Sequence, residues 1–162
     1  MGYAADPMTG GIIFDDMHEI DVAHYLLRCF RGVASVSRCS GEVGIKFEDI
    51  SDLVLQHEGS WQSAIHMGFV IPVRTRVAQT AGTRGQLRLG LSEHQFFHCD
   101  DVGKVIADEK LPGEVNDDYV AEIRDFLDCI ENRESPRCNR NEALAVLTQV
   151  AAPRRMAGVP SA

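Results

Sequence analysis

GGIIFDDMHEIDVAHYL, residues 10–26, sets two glycines, four carboxylates and two histidines into an otherwise apolar run. On a wheel turning about 100° per residue, Ile12, Ile20, Ala23, Leu27 and Phe30 gather on one side. The spacing predicts a helix that follows the glycine pair, runs to about Phe30 and stops at Gly32. Asp15, His18 and Asp21 fall away from that apolar side, with Val22 and Tyr25 between and beyond them. At i and i+3, Asp15 and His18 have Cβ atoms about 5–6 Å apart. A carboxylate so placed raises the proton affinity of an imidazole and fixes its tautomer, as a general base near neutral pH requires. Gly10-Gly11 lets a ligand or another backbone approach closely, and a helix N-terminus adds positive potential. The same residues also suit a solvated polar face, since carboxylates near a helix start are favourable without any function.

The totals bound the answer. A chain of 162 residues is long enough for one domain with its own core. Hydrophobic residues at 44% and charged residues at 25% describe a globular chain rather than a disordered one. A net charge of -8 gives no general attraction for phosphate backbones or anionic lipid, so neither nucleic acid nor a membrane is expected as partner. The apolar runs are too short and too often broken by charge to span a bilayer. The opening MGYAADPMTGG has no basic region and no long apolar run, so no secretory signal is expected. Cys29, Cys39, Cys99, Cys129 and Cys138 are odd in number and never form C-x-x-C, which points to reduced thiols and a cytoplasmic location.

Outward from the helix, residues 1–9 read as a lead-in with Asp6-Pro7 in an extended or turn conformation. From Val33 to about Glu109 the period changes to two. VASVSRCSGEV is a candidate strand, and ISDLVLQHEGSWQSAIHMGFVIP is a hairpin turning near Glu58-Gly59. VRTRVAQTAGTRGQLRLGL turns around Gly82–Gly85, and HQFFHC and KVIADE flank Asp100–Gly103. Short turns between successive strands imply antiparallel pairing. Asn116 can cap a helix carrying Val120, Ile123, Leu127 and Ile130 on one face. Asn139 and Glu142 form a capping box for another, with Leu144, Leu147 and Ala151 on its face, broken at Pro153 before a loose tail. The fold class is α+β, with a lead-in over 1–9, one domain over 10–152 and a tail over 153–162. In SAIHMGFVI, Ile65, Met67, Phe69 and Ile71 point one way and Ala64, His66, Gly68 and Val70 the other. Helices can cover one sheet face, and the other then invites a second copy.

Other polar groups read more plainly. His94, His98 and Cys99 lack the further ligands that a structural zinc site requires, so no metal site is expected. His66, in an apolar strand, reads as a core or interface histidine. Arg74 and Arg76 alternate with Thr75 and Val77, which would put both on one sheet face, suited to a phosphate or carboxylate or to solvent.

Gly10-Gly11-x-x-x-Asp15-x-x-His18-Glu19-x-Asp21 resembles the signature that opens the C-terminal domain of the Gfo/Idh/MocA oxidoreductase family. EDISDLVLQHEGSWQSAIHM resembles its Glu-Asp strand and hairpin, and RVAQTAGTRGQL its strand-Gly-x-x-Gly-strand unit. DYVAEIRDFLDCIENRESPRCNRNEALAVL is similar to its closing helices. The resemblance runs from about Tyr3 to Ala151. It implies an open, mostly antiparallel sheet with helices on one face, the free face making homo-oligomers. It also implies NAD- or NADP-linked chemistry on a sugar or nucleotide sugar. Asp15 and His18 would handle the hydroxyl proton, with Asp21, Tyr25 and Arg76 binding substrate. Met17 stands where a glycine is frequent, and Gly68 and Pro72 where an aspartate and an arginine are common. The family's Gly-rich dinucleotide turn and Glu-Lys-Pro motif are missing, Glu109-Lys110 being followed by Leu111. This chain alone is therefore expected not to hold the cofactor, and a separate Rossmann-domain chain is a candidate partner. The alternative is a non-catalytic truncated or split relative that dimerises or binds a ligand. A third possibility, a metal hydrolase built on Asp15 and His18, would need stoichiometric zinc.

Overall fold

The computed structural model describes residues 10–28, 30–114, 116–136 and 139–156. The lead-in 1–9, Cys29, Cys138 and the end of the tail from 157 lie outside them. In chain order come α1 (Ile12–Asp15), α2 (Met17–Leu27), β1 (Phe30–Arg38), β2 (Ile50–His57) and β3 (Gln62–Gly68). β4 (Val77–Gly82), β5 (Gly85–Gly90), β6 (Gln95–Cys99) and β7 (Val105–Lys110) follow, then α3 (Asp117–Asn132) and α4 (Arg140–Met156). The chain gathers into two compact units, Met1–Ile71 with Cys138–Ala162, and Pro72–Arg137. Every strand pair among the described residues is antiparallel. The architecture is α+β, its strands shared between a three-stranded sheet, β1-β2-β3, and a four-stranded one, β4-β5-β6-β7.

In the first unit the single helix read from the periodicity is two. Asp16, at φ -101° and ψ 30°, ends α1 and begins α2. Its N–H donates to Ile12 O at 2.9 Å, while its own carbonyl accepts from Glu19 N–H at 3.0 Å. With the break, the adjacent Ile12 and Ile13 are both wholly buried, along with Ile20. Ala23 is buried, Leu27 is half-buried, and Phe30 opens β1 rather than ending the helix. β2 alternates as a strand with one covered face: Ser51, Leu53, Leu55 and His57 are buried, Asp52 and Val54 exposed. Opposite them, Val33 and Ser35 on β1 and Ile65 and Met67 on β3 line the same inner face. The core is Ile12, Ile13, Ile20, Ala23, Leu53, Leu55, Met67 and Val146.

α4 begins with the predicted capping box. Asn139 Oδ1 accepts from Asn141 and Glu142 N–H at 2.9 and 3.2 Å, and the Glu142 carboxylate accepts from Asn139 N–H at 3.2 Å. Among the side chains described on this helix the buried one is Val146, whereas Leu144 and Leu147 are exposed. Ala143 to Leu147 is an unbroken apolar run, so several faces satisfy the periodicity equally. α4 also continues through Pro153 to Met156. A proline gives up its own helical N–H, and here that does not end the helix.

In the second unit the turns fall where the sequence places them. Asp100 Oδ1 accepts from Val102 and Lys104 N–H at 3.1 and 2.8 Å, closing the β6–β7 turn. Residues 72–76 form no strand, so Arg74 and Arg76 share no sheet face. Pro72, which lacks an N–H, suits that irregular course. His94 sits in a turn at φ 53°, off the strand that carries His98 and Cys99. Among the described residues no cluster of three or more histidine, cysteine or carboxylate groups is placed to hold a metal. Asn116 takes the cap position of α3 without a side-chain bond; Asp117 instead accepts from Glu114 N–H at 2.8 Å. Val120, Ile123, Leu127 and Ile130 of α3 are all exposed.

Gly11, at φ 95°, starts α1 beneath the buried Glu48, whose carboxylate occupies the space a Cβ would need. Gly41 shares the left-handed region, at φ 84°, but faces open space. Gly41→Ala should therefore cost about 1–2 kcal/mol from backbone conformation alone. Gly11→Ala should cost more, roughly 2–4 kcal/mol, through the added collision. Urea unfolding of the two variants side by side measures the difference.

Candidate active site

The face predicted to carry chemistry is held by a pair of consecutive carboxylates just before β2. Glu48 O accepts the Ile12 N–H at 2.8 Å, anchoring the first turn of α1. Asp49 N–H donates to Arg38 O at 3.0 Å, and Asp49 O accepts from Phe69 N–H at 2.9 Å. The Asp49 carboxylate accepts from Ser40 N–H at 2.8 Å and, over a short distance, from the Ser40 hydroxyl. Burial is the largest influence on this group and opposes its ionisation. Hydrogen bonds from the Ser40 hydroxyl, the Ser40 N–H and its own N–H, together with the positive charge of Arg38, outweigh burial. They hold its pKa below the ordinary 3.8.

From this anchor the chain presents His18, Asp21 and Tyr25 as an exposed stripe on α2, at i, i+3 and i+7. Asp15 is half-buried at the end of α1, ahead of the break at Asp16. Among the described residues the Asp15 and His18 side chains share no hydrogen bond or ion pair. Arg76 belongs to the second unit and is half-buried. Its N–H bonds Ser92 Oγ at 3.1 Å and its carbonyl accepts Leu91 N–H at 2.8 Å. The structure thus groups His18, Asp21 and Tyr25 on one helix, with Asp15 one turn away on another.

Two histidines make the contacts that spacing along one helix could not reveal. His57 is buried, its ring edge-on to Phe30 with centroids 6.0 Å apart. Its Nδ1 lies 2.9 Å from Arg28 O and its Nε2 2.8 Å from Ser63 Oγ. A carbonyl only accepts, so Nδ1 carries the proton, and in the neutral ring Nε2 accepts from the serine hydroxyl. The inward parity of Ser51, Leu53 and Leu55 is the signal that would have found it. His66, read as a core or interface histidine, is not in the core: it is exposed on the outer face of β3. Its Nδ1 sits 2.7 Å from Asp52 Oδ1 on the paired β2 residue. The aspartate fixes the orientation of the ring.

Among the described residues no helix is long and apolar enough to cross a membrane. No family model and no curated protein matches the sequence. Solved structures do match. Levoglucosan dehydrogenase in complex with NADH matches 100% of this chain with 54% of its own, at TM-score 0.83 and 13% identity. UDP-N-acetylglucosamine 3-dehydrogenase from Acidithiobacillus ferrooxidans matches 90% of the chain with 46% of its own, at 0.77 and 16%. An oxidoreductase from Agrobacterium radiobacter, in complex with NAD+, L-tartaric acid and magnesium, matches 97% with 51%, at 0.76 and 16%. The chain spans about half the length of these proteins. Its fold is that of Gfo/Idh/MocA-type oxidoreductases.

The lowered pKa of Asp49 ties stability to pH. Its contribution is complete above the ordinary carboxylate value and is lost as pH falls through the lower folded value. Between about pH 7 and about pH 3, the urea midpoint of the wild-type chain should fall further than that of Asp49→Asn, which lacks the titrating group. By contrast Asp52→Asn, at an exposed pair, should change stability by less than about 1 kcal/mol.

Proposed function

We propose that this chain is the substrate-binding and oligomerisation part of an NAD(P)-dependent sugar or nucleotide-sugar oxidoreductase, residues 10–152 acting together as that domain. The observation that carries the reading is the match of 90–100% of the chain to about half of proteins named as levoglucosan and UDP-N-acetylglucosamine dehydrogenases. The exposed His18–Asp21–Tyr25 stripe supports it from within the chain. Oxidation of a carbinol requires that its hydroxyl proton leave as the carbon gives up hydride, and His18 is the group suited to accept it near neutral pH. Asp21 and Tyr25 can bond neighbouring hydroxyls, and Asp15 can stabilise the imidazolium if substrate draws the two helices' polar groups together. Arg76 is the fifth residue of the reading, as a partner for a substrate oxygen.

The nicotinamide cofactor of such an enzyme supplies the hydride acceptor. A dinucleotide fold is built of parallel βαβ units, and the antiparallel pairing of the described strands supports placing the cofactor elsewhere. In this reading a Rossmann domain holds it, within a longer protein or as a separate chain, and the protein works in the cytoplasm. The outer face of β1-β2-β3, with Val36 and Val54 exposed beside the Asp52–His66 pair, is the proposed homo-oligomer surface. A second reading is a non-catalytic module that dimerises or binds a ligand. It is favoured by the helix break at Asp16, which leaves Asp15 and His18 without a mutual bond.

Titration of L-sorbose and of UDP-N-acetylglucosamine into the chain, followed by NMR of the histidine rings, separates the readings. A saturable shift of His18 that is lost in Asp21→Asn supports the substrate site. Unmoved His18 resonances with both probes would favour the non-catalytic module. Reduction of NAD(P)+ by this chain alone in the presence of either probe would sink the division of labour between the two domains.

A further inference from the structure

We propose that the cavity where the end of α2 meets the β2–β3 hairpin binds an anionic pyranose, a sugar ring carrying a carboxylate or phosphate. The cavity, of about 460 Å³, is lined by Leu26, Leu27, Arg28, Glu58, Gly59 and Trp61. Asp15, His18 and Asp21 are not among those residues, so the inference goes beyond the reading above and stands without it.

Three features converge on this ligand. The Trp61 side chain is 56% exposed beside Leu26, which is itself exposed. An indole face next to aliphatic groups takes the apolar C–H face of a sugar ring, and its edge or neighbours take the hydroxyls. Glu58 is oriented by Arg31, whose Nη2 and Nε lie 2.9 and 3.3 Å from Glu58 Oε1. That leaves Glu58 Oε2 to accept from ring hydroxyls. Arg28 is exposed, and among the described residues its guanidinium has no hydrogen bond or ion pair. With the Arg31–Glu58 pair self-neutralised, Arg28 leaves the rim with one positive charge, which selects an anion.

The walls are also fixed before any ligand arrives. Arg28 stands at φ 66° and ψ -169°, a backbone region that only glycine occupies without strain. Its carbonyl is held by His57 Nδ1 at 2.9 Å and its N–H by His24 O at 2.8 Å. Across the cavity, Trp61 O accepts from His57 N–H at 2.8 Å and from Gln56 Nε2 at 3.1 Å. The buried His57 therefore ties the α2 wall to the hairpin wall through its ring and its backbone. Such preorganisation lowers the ordering cost of binding.

Trp61 is the one tryptophan of the chain, so its fluorescence reports on this cavity alone. Titration with methyl β-D-glucuronide at millimolar concentrations should change indole emission saturably. Methyl β-D-glucopyranoside, neutral but otherwise alike, should bind roughly tenfold more weakly. Arg28→Gly takes the native backbone without strain, so the variant should fold at least as stably as wild type and yet lose the preference for the glucuronide. By calorimetry, Trp61→Ala should bind neither probe. Absence of any saturable emission change with the glucuronide would overturn the site. Equal affinity for the two probes, or an unchanged preference in a folded Arg28→Gly, would overturn the charge assignment.

Discussion

At Glu48 and Asp49 two consecutive side chains are taken out of water where three segments of the first unit converge. Through Glu48 O the pair holds the first amide of α1, through Asp49 N–H the end of β1, and through Asp49 O the residue after β3. Burying carboxylates is unfavourable unless their lone pairs are met, and Ser40 meets those of Asp49 with a hydroxyl and an amide. Gly11 is the complementary requirement, since any side chain there would take the volume of the Glu48 carboxylate. The direction in which α1 and α2 leave, and so the side of the sheet they cover, follows from this junction. Ile12, Ile13 and Ile20 then reach Leu53, Leu55 and Met67, and hydrophobic burial supplies the bulk of the stabilisation.

Much of this was legible in the sequence because the relevant physics is local. The hairpin near Glu58-Gly59 and the shared face of Ile65 and Met67 follow from period two, and the two residues lie on the inner face opposite Leu53 and Ser51. The Gly82–Gly85 turn and the Asn139–Glu142 capping box depend on residues within four of one another. What could not be read depends on partners far away in the chain. His66 looks apolar by its neighbours along the strand, yet its environment is set by Asp52, which the β2–β3 register brings opposite it. His57 obeys the inward parity of β2, but its two bonds reach back to Arg28 and on to Ser63.

The candidate site was legible in its residue types and only partly in its geometry. The expected Asp15–His18 pair presumes an unbroken helical turn, and Asp16 interrupts it with a conformation outside the helical region. Nothing in IIFDDMHEI announces that break except the adjacent isoleucines, both of which demand burial that one amphipathic stripe would not give. His18, Asp21 and Tyr25, lying wholly within α2, keep the relation their spacing assigns. Similar physics explains why α4 turned on Val146: Ala143 to Leu147 is apolar throughout, so packing, not periodicity, chose the face.

A match at 13–16% identity over nearly the whole chain means that few side chains need be held in common for this fold. Fold alone therefore says little about what is bound, and the residues that work against the fold are the more telling ones. Arg28 is such a residue. A glycine there would adopt φ 66° and ψ -169° freely, whereas arginine costs about 1–3 kcal/mol in backbone strain. That strain is sustained by the His57 ring, itself a buried polar group. Arg28, being exposed, adds no core packing in return. What the arrangement adds is an arginine whose backbone is held at the rim of a cavity that an exposed indole also lines, and recognition of a ligand is the role that an otherwise unfavourable arginine can serve.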